Sequence, residues 1–243
     1  MLRKFILPAV LTVGMLLQTS FAPLRVWDLE PAGLTLVTLP SGTVSVEAAT
    51  QADFNRDGLP EHLVLARGHL TILSNGSPVW QSPSSWTVVQ TQITDLNHDG
   101  APEAALLVWR PFRPWPVDQW LPHGGRIVDF QDDQGDSCHL ILIGWRGSQY
   151  GEVWAGSALA EPVRSFRVAD LNGDTFQELL TLEGSYADSR LSPRVFGGSI
   201  PAHALKVWEW NGFGFTVVST IDGTFDKLAL IQTAAGRILI LVP

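Results

Sequence analysis

Basic charge, cysteine and catalytic signatures are all in short supply in this chain. Lys and Arg number 16 against 24 Asp and Glu, a net charge of −8. So acidic a chain argues against nucleic acid or an anionic membrane as a partner, because both are held through basic patches. Cys138 is the one cysteine, which excludes an intramolecular disulfide. Within "SCHLILIGW" it reads as a small buried apolar residue. Six histidines (His62, His69, His98, His123, His139 and His203) are scattered rather than paired. No nucleophile elbow, H-E-x-x-H, phosphate loop or dinucleotide fingerprint occurs. Helical periodicity is scarce after residue 23. Charged residues make up only 16 % and hydrophobic ones 45 %, so the chain is not a disordered one.

The N-terminus reads as an export signal. Arg3 and Lys4 precede the apolar run Phe5–Leu17, and "SFA" at 20–22 offers a small-residue cleavage site. Residues 1–22 are therefore expected to be a signal peptide, with an uncleaved anchor as the alternative. Residues 23–243 are then one exported domain, secreted, periplasmic or cell-surface, with no membrane insertion after cleavage. Free calcium outside the cytoplasm is abundant enough to fill weak sites.

Short apolar runs bounded by turn residues predict strands at 62–66, 103–109, 139–145, 178–182, 204–210, 227–231 and 237–242. Several are apolar at nearly every position, which requires cover on both faces. The runs belong to a repeat. "ADFNRDG" (52–58), "TDLNHDG" (94–100) and "ADLNGDT" (169–175) share one pattern. Asp53 to Asp95 is 42 residues and Asp95 to Asp170 is 75, close to two repeats. A degenerate copy at 128–145 and a weaker unit at 219–232 fill out the spacing. A period near 40 built from short strands predicts an all-β chain, a β-propeller of about five four-stranded blades. The segment 25–39 has no such loop and is expected to close the ring against the C-terminal strands, removing an exposed edge.

The three loops carry the chemistry. Asp53, Asn55 and Asp57 put side-chain oxygens at positions 1, 3 and 5; Gly58 permits the turn, Leu59 offers a carbonyl at position 7, and Glu61 stands at position 9. Asp95, Asn97, Asp99, Ala101 and Glu103 repeat this around Gly100. Asp170, Asn172, Asp174, Phe176 and Glu178 do so with Thr175 in the glycine position. All-oxygen ligand sets favour Ca²⁺ over a transition metal. An EF-hand needs a carboxylate at position 12, and Val64, Leu106 and Thr181 stand there. The competing reading is three Asx-type turns without metal.

D-x-N-x-D-G-x-x-E between strands, at intervals near 40 residues, resembles the FG-GAP/VCBS-type repeats of integrin α-subunit heads and of many exported bacterial proteins. The resemblance spans roughly 45–232 and is strongest at the first two loops. It implies a propeller whose calcium ions rigidify the loop between strands 1 and 2 of a blade. The degenerate copy has Asp129, Gln131 and Asp133 at positions 1, 3 and 5, but Gln134 and Ser137 replace the glycine and the closing carboxylate, so no ion is assigned to it.

A ligand is then expected on the opposite face, where two long connections fall. Residues 110–125 carry Arg110, Arg113, Trp115, Trp120 and His123; residues 183–203 carry Tyr186, Arg190 and Arg194. Arginines and aromatics there suit a sugar or an acidic group on a protein or carbohydrate ligand, or a neighbour in a surface assembly. The competing reading has the tryptophans packed and the arginines solvated. The sequence favours a non-catalytic, calcium-stabilised binding module. The alternative is a hydrolase or lyase acting on extracellular polysaccharide through the same two loops, its acid and base drawn from Asp118, Asp188 and Glu183.

Overall fold

A computed structural model describes residues 24–113, 130–188 and 202–242. The signal-peptide reading of residues 1–22 lies outside them. Among the described residues there are strands and one short 3-10 turn, Tyr186–Asp188, and no helix long and apolar enough to cross a membrane.

The strands form four sheets in a β-propeller arrangement. The first runs β4 (Gln51–Ala52), β5 (Glu61–Ala66), β6 (His69–Ser74) and β7 (Ser77–Gln81). The second runs β8 (Thr87–Thr94), β9 (Glu103–Pro111), β10 (Asp136–Arg146) and β11 (Gln149–Ala155). The third runs β12 (Val163–Ala169), β13 (Glu178–Glu183), β14 (Ala202–Trp210) and β15 (Phe215–Phe225). The fourth gathers both ends of the chain: β3 (Val44–Ser45), β16 (Ala229–Gln232), β17 (Ile238–Val242), β1 (Arg25–Glu30) and β2 (Gly33–Val37), side by side in that order. All pairings are antiparallel. Tight turns such as Asn75–Gly76, with φ of 50° and 76°, join neighbours with the twist a two-residue hairpin needs.

All seven strands expected from apolar runs are present. The expected closure is present too: Val26 pairs with Leu241 and Trp27 with Ile240. Arg237 adds a clamp, its Nε 2.8 Å from Asp28 and its Nη2 3.0 Å from Glu30.

The expected count of about five blades gives way to four sheets among the described residues. The copy at 128–145 does not open a blade. Its strand is β10, the third strand of the second sheet, paired with β9 from Asp136↔Pro111 to Ile143↔Ala104. The weaker unit at 219–232 is split, its first half ending β15 and its second half forming β16. The 75-residue interval is therefore one blade with a long β9–β10 connection, and not two repeats.

Burial explains the stacking. Seven successive residues of β9, Glu103–Trp109, are buried, and so are nine of β10, Asp136–Gly144. Alternate side chains feed two different cores. Leu106 and Ile141 pack toward the first sheet with Phe54, Leu70 and Ile72. Leu107 and Leu140 pack toward the third with Phe166 and Leu179. A third core, around Leu180, Leu205 and Ile240, joins the third sheet to the fourth. Glutamines bind the inner edges together: Gln90 of β8 donates to Phe166 O (2.6 Å) and accepts from Phe166 N (3.1 Å), while Gln92 donates to Val168 O (3.0 Å). The first sheet is less covered, with the successive β5 residues Val64 and Leu65, one on each face, both exposed.

Phe166 is fully buried between two sheets, whereas the Phe213 side chain is 88 % exposed. Phe166→Ala should lower stability by about 3–5 kcal/mol and Phe213→Ala by less than about 0.5 kcal/mol. Urea midpoints of the two variants check this, and similar costs at both positions would contradict the inter-sheet core.

Candidate functional site

The three acidic loops lie at one end of the molecule, each between the first and second strands of its sheet: 53–60 joins β4 to β5, 95–102 joins β8 to β9, and 170–177 joins β12 to β13. They share a bonding pattern. In the first, both Asp53 oxygens accept backbone N–H groups, from Asp57 (3.0 Å) and Gly58 (2.8 Å). In the second, Asp95 accepts from Asp99 and Gly100, both at 3.0 Å. In the third, Asp170 accepts from Gly173 (2.7 Å) and Thr175 (2.9 Å). The asparagine Oδ1 accepts the N–H of the following aspartate in every case, for Asn55, Asn97 and Asn172 alike. That aspartate accepts the N–H of position 7: Leu59, Ala101 and Phe176, each at 2.8 Å. Short polar side chains hold their own backbone this way in Asx turns, which is why the pattern folds locally.

The position-9 glutamates separate the loops. All three are buried. Glu178 has both oxygens engaged, Oε2 by Leu171 N (2.7 Å) and Oε1 by Asn172 Nδ2 (3.0 Å). Glu61 accepts Phe54 N at 2.9 Å through Oε2, while its Oε1 has no partner. Glu103 is 1 % exposed and neither oxygen has a partner. The Leu96 amide and the Asn97 side chain approach it without good hydrogen-bond geometry. Burial, then the charges of Asp99 and Asp95, push the Glu103 carboxyl up to about 8. Asp95, Asp99 and Glu103 each bring a ligand oxygen within 4.8 Å of the others, the only such acidic group among the described residues.

Neighbouring loops also touch, which the repeat pattern alone does not reveal. Arg56, at position 4 of the first loop with φ of 60°, donates to Gly100 O of the second at 2.9 Å. His98, at position 4 of the second loop with φ of 58°, stacks on Phe176 of the third at 4.5 Å and lies 3.3 Å from Gln177 O. Gln177 Oε1 in turn accepts from Thr94 Oγ1 (2.7 Å) and Asp95 N (2.9 Å). Residue order alone does not reveal the His98 contact, because it depends on how blades are set side by side. Tyr150 of β11 likewise faces Glu61 from the next sheet, and its hydroxyl has no partner of good geometry.

Trp115, Trp120, His123, Arg190 and Arg194 lie outside the described residues, as do Asp118, Asp129 and the side chain of Asp188. Tyr186 is buried: its hydroxyl donates to Leu159 O (2.9 Å) and accepts from Cys138 N (3.0 Å), a structural role rather than an open ligand contact. Cys138 is buried as expected, its thiol pushed up to about 12 by desolvation. Arg110 and Arg113 line a cavity of about 400 Å³ with Trp86 and His139. A second cleft, between the second and third sheets, has apolar walls and a polar rim. On that rim Lys206 Nζ bridges Glu161 (2.8 Å) and Glu183 (2.7 Å), and His203 lies 3.4 Å from Glu161. Thr181 Oγ1 and Trp208 Nε1 also donate to Glu183.

The chain matches no family model, and no curated protein is significantly similar to it.

Thr175 replaces the loop glycine and carries φ of 77°, a conformation that a β-branched residue avoids. Thr175→Gly should raise stability by about 1 kcal/mol, read as a higher urea midpoint; a lower midpoint would mean that the threonine side chain makes a compensating contact.

His139 supplies a pH test. Burial, with the Arg110 charge adding to it, holds its pKa at about 4 instead of 6.5. The unfolded chain thus binds a proton between pH 6.5 and 4 that the fold does not, so stability is full above 6.5 and falls toward pH 4. Between pH 7.5 and 4 the wild type should lose roughly 3 kcal/mol more than His139→Asn. Parallel pH profiles in urea melts would contradict this.

Proposed function

We propose that this chain is an exported, calcium-stabilised β-propeller of the FG-GAP/VCBS kind that acts as a non-catalytic binding module, its ligand being a protein or carbohydrate held at the end opposite the acidic loops. The observation that carries the calcium reading is Glu103. A carboxylate 1 % exposed, with neither oxygen bonded and two aspartates at its side, is costly unless a cation joins it. A hard divalent ion held by Asp95, Asp99 and Glu103, with Asn97 and the Ala101 carbonyl completing an oxygen set, supplies the missing partner. The first loop fits in the same way through the free Oε1 of Glu61. The third fits least well, since Glu178 is satisfied by Leu171 and Asn172.

Calcium in this reading is structural. It draws Glu103, at the start of β9, onto a loop that already contacts both neighbouring loops. The ion therefore stiffens the junctions between blades as well as one turn. Export is supported by the N-terminal charge and apolar pattern and by the weakness expected of such sites.

The non-catalytic reading has its own support. The carboxylates nearest the inter-sheet cleft are Glu161 and Glu183, and Lys206 bridges them. Although desolvation opposes it, the bond and charge of Lys206 lower the Glu161 pKa and keep it ionised, not ready to deliver a proton. Glu183 is occupied by Lys206, Thr181 and Trp208.

Thermal melts of the full chain in calcium and in chelator test the reading. Calcium at about 100 times its dissociation constant adds roughly 2.7 kcal/mol, a rise in melting point of roughly 5–10 °C at this size. Glu103→Gln should melt at or above the wild type in chelator, because a buried carboxyl whose ionisation burial already opposes is gone, and should lose most of the rise in calcium. Identical wild-type melts in calcium and chelator would sink the proposal.

A further inference from the structure

The cavity at the ligand-side end of the second sheet contains two cations that have no acidic partner among the described residues. Arg110, near the end of β9, is half-buried. Its guanidinium lies over the Trp86 ring, 5.6 Å from the centroid. Its one close polar neighbour among the described residues is His139 Nδ1, at 3.4 Å from Nη2. That neighbour is no acceptor. His139 Nδ1 lies 3.1 Å from Gly156 O, so it carries the proton, and Nε2 accepts the Ser137 hydroxyl at 2.8 Å. Arg110 thus points donors at a donor. Arg113 lines the same cavity, is exposed, and forms no ion pair with any described residue. Glu152 acts on Arg110 only at a distance: it forms no ion pair with it.

We propose that this cavity binds the carboxylate of an acidic sugar, with Arg110 and Arg113 as its two cationic contacts. The inference rests on reading this end as the ligand end and names the ligand's chemistry. A guanidinium fork matches a planar carboxylate in a two-bond geometry, and Trp86 fixes the plane of the Arg110 fork in advance. The acidic chain, at −8, disfavours a multiply charged anion more than a singly charged one. Around the arginines, the exposed hydroxyls of Ser85 and Ser157 suit ring hydroxyls, and Phe112 gives an apolar wall for a sugar face. A cavity of about 400 Å³ takes a ligand of this size. Burial, together with the like charge of Arg113, holds the Arg110 pKa below its usual range, and an arriving anion relieves both costs.

The test is calorimetric titration of the full chain in calcium with glucuronate, glucose and inorganic sulfate. Glucuronate should bind at least roughly tenfold more tightly than glucose, and Arg110→Gln and Arg113→Gln should each weaken it roughly tenfold or more. Arg113 is exposed and touches no described partner, so its variant keeps the fold and the result stays interpretable. Equal binding of glucose, equal competition by sulfate, or glucuronate binding indifferent to both substitutions would overturn the proposal. So would tighter, arginine-dependent binding of an aspartate-rich peptide. A protein stabilised by calcium that binds no glucuronate would overturn this site and leave the calcium scaffold standing. Arginine-dependent glucuronate binding by a protein indifferent to chelator would uphold the site and remove the scaffold reading instead.

Discussion

Sheets that are apolar on both faces dictate everything else in this molecule. Alternate side chains of β9 and β10 enter different cores, so the second sheet exists only between the first and third. The same demand is handed from sheet to sheet through Phe166, Leu180 and Ile240. The fourth sheet answers it by borrowing strands from both ends of the chain. Hydrophobic burial is non-directional and does not by itself set register. Directionality comes from the polar seams: Gln90 and Gln92 along the inner strands, and Leu34 N donating to Ser219 Oγ between the outer strands β2 and β15.

The acidic loops extend this logic to the rim. Each is shaped by hydrogen bonds from its own backbone to its own aspartate and asparagine, so it needs little from its neighbours to form. What neighbours add is alignment. Position 4 stands in a left-handed conformation in both linking loops and throws its side chain sideways, Arg56 onto Gly100 and His98 onto Phe176. The third loop has Gly173 at that position and sends nothing onward. Beyond it the fourth sheet turns between β16 and β17 without an acidic loop, and the chain of contacts stops there.

Much of this was legible from residue order. A strand such as β9 announces itself because both faces are buried and the run Ala104–Trp109 is apolar throughout. The loops announce themselves because their bonds are local, and the clasp follows from the need to hide an edge. Strand β8 does not, since its polar Gln90 and Gln92 find their partners in another sheet, each 76 residues away. The blade count misleads for a similar reason: spacing measures chain length, and the long β9–β10 connection adds length without adding a sheet among the described residues. Tyr186 reads as a loop aromatic because nothing local reveals that Cys138 N and Leu159 O await its hydroxyl. Contacts that depend on the setting of one blade against the next, such as Gln177 on Asp95, leave no trace in either repeat alone.

The clasp has a mechanical meaning. Arg25 and Val242 are paired at the same end of two antiparallel strands. A load applied at these two residues falls on one rung of the ladder at a time and peels it like a zipper, instead of shearing all rungs together. The ring therefore opens at its clasp under a pull that its three interior sheets never feel.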